Sequence, residues 1–117
     1  MNEEIPVILQ WMEFLDWFVE VSAKFPRKVR WSLTTRLEDH GFDILECLVT
    51  AKYETGKTKK MSILRDANLK LDLMRLLLRH SHRKQYLSGK AHQRCSRDIN
   101  EVGQMIGGWL KSLSGIS

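Results

Sequence analysis

The stretch CSRDINEVGQMIGGWLKSL, residues 95–113, decides the fold. Its apolar residues Cys95, Ile99, Val102, Ile106, Trp109 and Leu113 recur at spacings of 4-3-4-3-4, the signature of one face of an α-helix. The same stretch holds Gly103, Gly107 and Gly108. Each glycine inside a helix costs about 0.8–1.0 kcal/mol relative to alanine. Three of them put roughly 2–3 kcal/mol at risk, against a domain stability of about 5–15 kcal/mol. Gly103 and Gly107 are four apart and share a face, which Ser96, Asn100 and Ser114 extend. A row of small residues lets a second backbone come close, and the added van der Waals contact offsets the lost propensity. This reading expects close packing at Gly103 and Gly107, inside a bundle or between subunits. The alternative is a poorly formed last turn with the helix ending at Gly107. The seam that continues through Trp109 and Leu113 argues against it.

Three more segments carry the helical period. In the first, Ile5, Ile8, Met12, Leu15 and Val19 form one line and Val7, Trp11, Phe14, Phe18, Val21 and Phe25 a second. Together they span an apolar face about 180° wide, broader than the stripe of about 100° that a surface helix needs. Such a helix expects two partners, its own bundle and another surface, with Trp11 and Phe18 as packing anchors beside Trp109. Pro6 suits a first turn, and Glu3 and Glu4 suit the positive end of the helix dipole. Pro26 disfavours helix at Phe25. A second helix is expected over about 33–54, with Ser32 as N-cap and Gly56 as the C-terminal stop. A third is expected over about 58–85 on Leu64, Ala67, Leu71, Met74 and Leu78. The fourth is expected over about 89–113 with Ser88 as N-cap. No strand-like alternation persists. The expected fold is all-α, a single domain over 1–117 forming an antiparallel up-down-up-down four-helix bundle.

Composition agrees with a globular chain: 43% hydrophobic and 28% charged residues in 117. No apolar run approaches the roughly 18 residues of a membrane helix, so no membrane partner is expected. The acidic N-terminus lacks the basic start of a signal peptide, and the expected location is cytoplasmic. Cys47 and Cys95 each fall in a helical apolar pattern, as expected of free thiols in a reducing compartment. The net charge of +5 is uneven: residues 1–24 carry −4 and the remainder +9. A basic body attracts polyanions.

Convergent catalytic groups are missing from the pattern. His80 and His82 are two apart and face different ways on a helix. His92 and Cys95 make two ligands, too few for a metal site. Asp43 and Glu46 read as a solvated face. With no phosphate loop, nucleophile motif or paired-cysteine zinc pattern, the chain reads as a non-enzyme without metal or cofactor.

Two basic groups remain. Arg27, Lys28, Arg30 and Arg36 surround Trp31, and Arg75, Arg79, Arg83 and Lys84 share one face of the third helix. Arginine forks grip phosphates, and an indole can stack on a base. These nine residues are the candidate nucleic-acid contacts. On the third helix, pairing of Arg75 or Arg79 with Asp72, or of an arginine with a carboxylate on another helix or subunit, is an equal alternative.

The sequence then resembles a known family. FPRKVRWSLTTRLEDHGFDILECLVTAKYE at 25–54 and LKLDLMRLLLRHSH at 69–82 are similar to segments of the accessory variability determinant (Avd) proteins of diversity-generating retroelements. EVGQMIGGWLKSL at 101–113 resembles that family's last helix, of the type E-[IV]-G-x-[ML]-[IL]-G-[GS]-W-[IL], through Glu101, Val102, Gly103, Met105, Ile106, Gly107, Gly108, Trp109 and Leu110. The resemblance implies a four-helix bundle that assembles as a homopentamer. It further implies binding to the retroelement's reverse transcriptase and to its template RNA, or the cDNA made from it, in support of error-prone cDNA synthesis. The bundle proteins encoded in intervening sequences of ribosomal RNA genes are relatives of that family. They supply the alternative: a structural protein-interaction bundle with no retroelement role.

Overall fold

Four helices account for most of residues 4–115, which a computed structural model describes: α1 (Glu4–Ser22), α2 (Thr35–Tyr53), α3 (Lys57–Arg83) and α4 (Gly89–Ser114). Among these residues there is no strand. α1 packs on α2 and α4, and α3 packs on the same two. α1 and α3 therefore stand at opposite corners of an antiparallel up-down-up-down bundle, 45 × 24 × 20 Å in extent. Glu3 lies outside the described residues.

The core follows the helical seams. Val7, Trp11, Phe14 and Phe18 of α1 meet Leu37, Ile44 and Leu48 of α2, Leu64, Leu71 and Met74 of α3, and Ile99, Val102, Ile106 and Trp109 of α4. The α1 aromatics stack along the helix, Trp11 on Phe14 at 4.9 Å and Phe14 on Phe18 at 5.5 Å between centroids. Trp11, Phe18 and Trp109 are thus buried anchors within the chain. Cys95 is buried and Cys47 half-buried, both as free thiols. Burial pushes both up, Cys95 to about 12, so neither is a ready nucleophile.

The glycines divide by what they face. α4 runs through Gly103, Gly107 and Gly108 and stops at Gly115, whose φ of 78° is a left-handed cap. At Gly103 an added Cβ would lie 3.2 Å from Nη2 of Arg75 and 3.9 Å from Leu71, so the close approach is by a side chain and not by a backbone. At Gly107 a Cβ would meet nothing within 4 Å. Of the two expected placements of Gly107, close packing inside the bundle is therefore incorrect, and contact between subunits is the one left. The tightest approach is at Gly41 in α2, where a Cβ would lie 2.6 Å from Leu15. There the Gly41 carbonyl also accepts a buried 2.8 Å hydrogen bond from Trp11 Nε1.

Two caps differ from expectation. Ser32 does not cap α2: it lies within a π-helical turn, Arg30–Thr34, and its hydroxyl donates to the Val29 carbonyl at 3.3 Å. Gly56 does not terminate α2. Its φ of −77° is extended backbone at the N-cap of α3, and its N–H donates to Glu54 at 3.0 Å. Ser88 does cap α4, accepting from the Ala91 N–H at 3.1 Å.

Candidate nucleic-acid interface

The antiparallel topology brings the α1–α2 connection and the α3–α4 connection to the same end of the bundle. Phe25 of the first lies buried against Tyr86 of the second, with ring centroids 6.0 Å apart. Nearby, His82 of α3 stacks on His92 of α4 at 4.8 Å, and His82 Nδ1 lies 3.0 Å from the Leu87 carbonyl. Burial of its ring, with the charge of His82 and Arg79 close by, lowers the His92 pKa.

This end concentrates positive charge. Segments 21–37 and 79–97 together hold eleven of the nineteen lysines and arginines and no carboxylate. Arg27, Lys28, Arg30, Arg36, Arg79, Arg83 and Lys84 are exposed there and make no ion pair among the described residues. Arg27 and Lys28 sit on a 3-10 turn, Arg27–Val29, and Arg30 and Trp31 on the π-helical turn that follows. Trp31 is 86% exposed. The two basic groups, distant in sequence, thus lie at one end of the bundle.

Arg75 stands apart. Its Nε donates to Asn100 on α4 at 3.2 Å, and its guanidinium also pairs with Asp72 on its own helix. It covers Gly103 and ties α3 to α4, so its partner across the helices is an amide and not a carboxylate. Asp72 takes Arg75 and leaves Arg79 free of any ion pair among the described residues. Asp43 and Glu46 are exposed, as expected.

A third basic row escaped the sequence reading. Lys90, Arg94 and Arg97 lie along α4 at spacings of four and three, which puts them on one face. Arg94 lies 4.2 Å over the Trp17 ring, and Arg94 and Arg97 flank Asp98 at 3.4 and 3.3 Å. The signal was the spacing, hidden because the apolar seam interleaves with it.

Among the described residues no cluster of three or more His, Cys, Asp or Glu could hold a metal ion, and no helix is long and apolar enough to cross a membrane. A family model described as bAvd-like matches residues 7–113. The chain belongs to the bAvd-like family. That match reaches from the first turn of α1 to the last turn of α4 and takes in both connections of the basic end. No curated protein matches the chain.

Proposed function

We propose that this chain is a non-catalytic accessory protein of a diversity-generating retroelement, acting in the cytoplasm. In this reading it binds template RNA, or the cDNA made from it, together with the reverse transcriptase, and so supports mutagenic cDNA synthesis. The observation that carries the reading is the basic end, where the antiparallel topology brings two distant cation-rich segments together and the first of them bears an exposed tryptophan. Unpaired cations on one surface suit a phosphate backbone, since binding releases its condensed counterions. Membership of the bAvd-like family supports the accessory role.

The proposal includes a homo-oligomer. Ile5, Leu9 and Met12 are exposed on α1, and Leu69, Leu73 and Leu76 are exposed on α3. Each trio is spaced to form one stripe, and the two stripes stand at opposite corners of the bundle. A twofold dimer would use one patch against itself. Two unlike apolar stripes favour a head-to-tail contact, which closes into a ring when the rotation allows. Five subunits is the number the resemblance implies.

The same stripes favour the second reading, a protein-interaction bundle of the intervening-sequence type. Binding of labelled template RNA across a salt series separates the two. The retroelement reading expects affinity to fall steeply and linearly in log–log form as salt rises. Absence of RNA binding, with binding to protein partners intact, would favour the second.

A further inference from the structure

We infer that a hollow beside Trp31 holds one unpaired base of the bound strand, guanine in preference, stacked on Trp31 and read by Asp39 and Asp43. This rests on the RNA-binding reading above. Trp31 is the only one of the four tryptophans left exposed; Trp11 and Trp109 are in the core and Trp17 lies under Arg94. The backbone beneath it is pinned on both sides. The Thr35 hydroxyl donates to the Arg30 carbonyl at 2.6 Å, and the Ser32 hydroxyl donates to the Val29 carbonyl. An aromatic face left in water on such a hydrogen-bonded turn is a stacking platform.

The hollow next to it measures about 420 Å³ and is lined by Trp31, Thr35, Arg36, Asp39, His40 and Asp43. Asp39 and Asp43 are exposed one helical turn apart on α2 and have no cationic partner among the described residues. Nδ1 of His40 is buried with no hydrogen-bond partner. Two carboxylates repel a phosphate, so the strand's backbone keeps to the cationic margin of the hollow at Arg36 and runs on over Arg27, Lys28 and Arg30. What carboxylates accept is N–H. The Watson–Crick edge of guanine presents its N1–H and an amino N–H side by side, which matches the two oxygens of one carboxylate. Cytosine and adenine offer one amino group on that edge, and uracil one imino. In a duplex the edge is already paired, so the base must come from a single strand, a loop or a bulge.

The test uses labelled single strands of about 12 nucleotides, within the range of single-strand site sizes. All-uridine RNA, the same strand with one central guanosine, and a duplex of equal length are titrated with the full chain. The wild type should prefer the guanosine strand by about tenfold or more. Trp31→Ala should weaken its binding by about tenfold, the loss of one base stack, with the salt slope unchanged, while Trp31→Phe should retain most of it. The double variant Asp39→Asn/Asp43→Asn should lose the guanosine preference and bind all-uridine RNA no less tightly. Melting temperatures within a few degrees of wild type would confirm that the variants are folded. If Trp31→Ala binds the guanosine strand as wild type does, or if the duplex binds equally well, the inference is overturned while the basic end stands. Equal binding of the guanosine and all-uridine strands by wild type overturns the guanine assignment. If no strand binds the wild type, the RNA-binding reading itself fails. Should Trp31→Ala lose only the reverse transcriptase, Trp31 belongs to a protein contact and the inference is rejected.

Discussion

Replacing Arg27, Lys28, Arg30 and Arg36 together by glutamine tests whether the basic end touches phosphate. All four are exposed and none makes an ion pair among the described residues. Removing them should therefore change stability by about 0.5 kcal/mol or less, as for ordinary surface sites. On a single strand each lost phosphate contact lowers the slope of log K against log salt by about 0.7, so four lower it by about 2.8. Between about 50 and about 200 mM salt the wild type should then lose about 50-fold more affinity than the variant. Changing Arg83, Lys84 and Lys90 to glutamine should lower the slope by about 2.1 more, because the Phe25–Tyr86 contact brings both connections to one surface. Fluorescence anisotropy with template RNA reads both slopes, and calorimetry checks the fold. An unchanged slope in the first set removes residues 27–36 from the interface. A reduced slope in the first set alone would mean that the strand does not cross the end.

Two glycines should respond with opposite sign. Gly107→Ala enters open space on a helix and should stabilise the chain by about 0.8–1 kcal/mol, whereas Gly41→Ala drives a methyl into Leu15, and overpacking of about 1–3 kcal/mol should outweigh the helical gain. Thermal melts decide both, and equal stabilisation would show that Leu15 simply moves aside. The lowered pKa of His92 means that folding favours the neutral form of its ring; its contribution to stability is present above the ordinary value of about 6.5 and lost as pH falls through the lowered one. His92→Asn should therefore shrink the drop in melting temperature between about pH 7 and pH 5, and an unchanged drop would refute it. Met12→Glu and Leu73→Glu should each dissociate the assembly by light scattering and leave a folded single chain, since both side chains are exposed in the bundle; an assembly that survives both would discard the stripes as its contacts.

The fold was legible because burial in a bundle obeys the helical period and little else. Cys95, Ile99, Val102, Ile106 and Trp109 are all buried, as a 4-3-4-3 seam must be. Ser88 was readable as a cap because an N-cap needs only a short polar side chain before a periodic run. Ser32 had the same credentials and failed. The chain there takes a π-helical turn that carries Ser32 inside it, with its hydroxyl donating back to the Val29 carbonyl, and a short polar residue before a periodic run does not tell such a turn from a cap. Gly56 misled for a related reason: a glycine between two helices can close one or open the next, and Glu54 decides it here by accepting the Gly56 N–H. Gly107 looked like a packing residue because small residues at four-spacing lie on one face, but spacing does not say whether anything faces them. The candidate site was half legible. Residues 27–36 stood out as a charge run, whereas Lys90, Arg94 and Arg97 were visible only to a search by helical face.

The apolar stripes and the basic end are geometrically independent, and this bears on how the assembly would bind a strand. The stripes run along the sides of a bundle 45 Å long, while the cations cluster at the end where both connections lie. Rotation about an axis running along the helices carries every copy's end to the same side. A head-to-tail ring built on the stripes would therefore gather all the basic ends on one rim. A strand long enough to leave one end would meet the next at an effective concentration in the millimolar range, and its affinity could rise by about 10²–10⁴ with no new kind of contact. This separates assembly from recognition. Leu73→Glu lies on α3 away from the basic end and removes no cation. It should weaken binding of a long template by about 100-fold or more and leave binding of a strand of about 12 nucleotides, confined to one subunit, unchanged. If the long template binds the dissociated chain as tightly as the assembled one, the ring contributes nothing to RNA binding, and its role must lie in holding the reverse transcriptase instead.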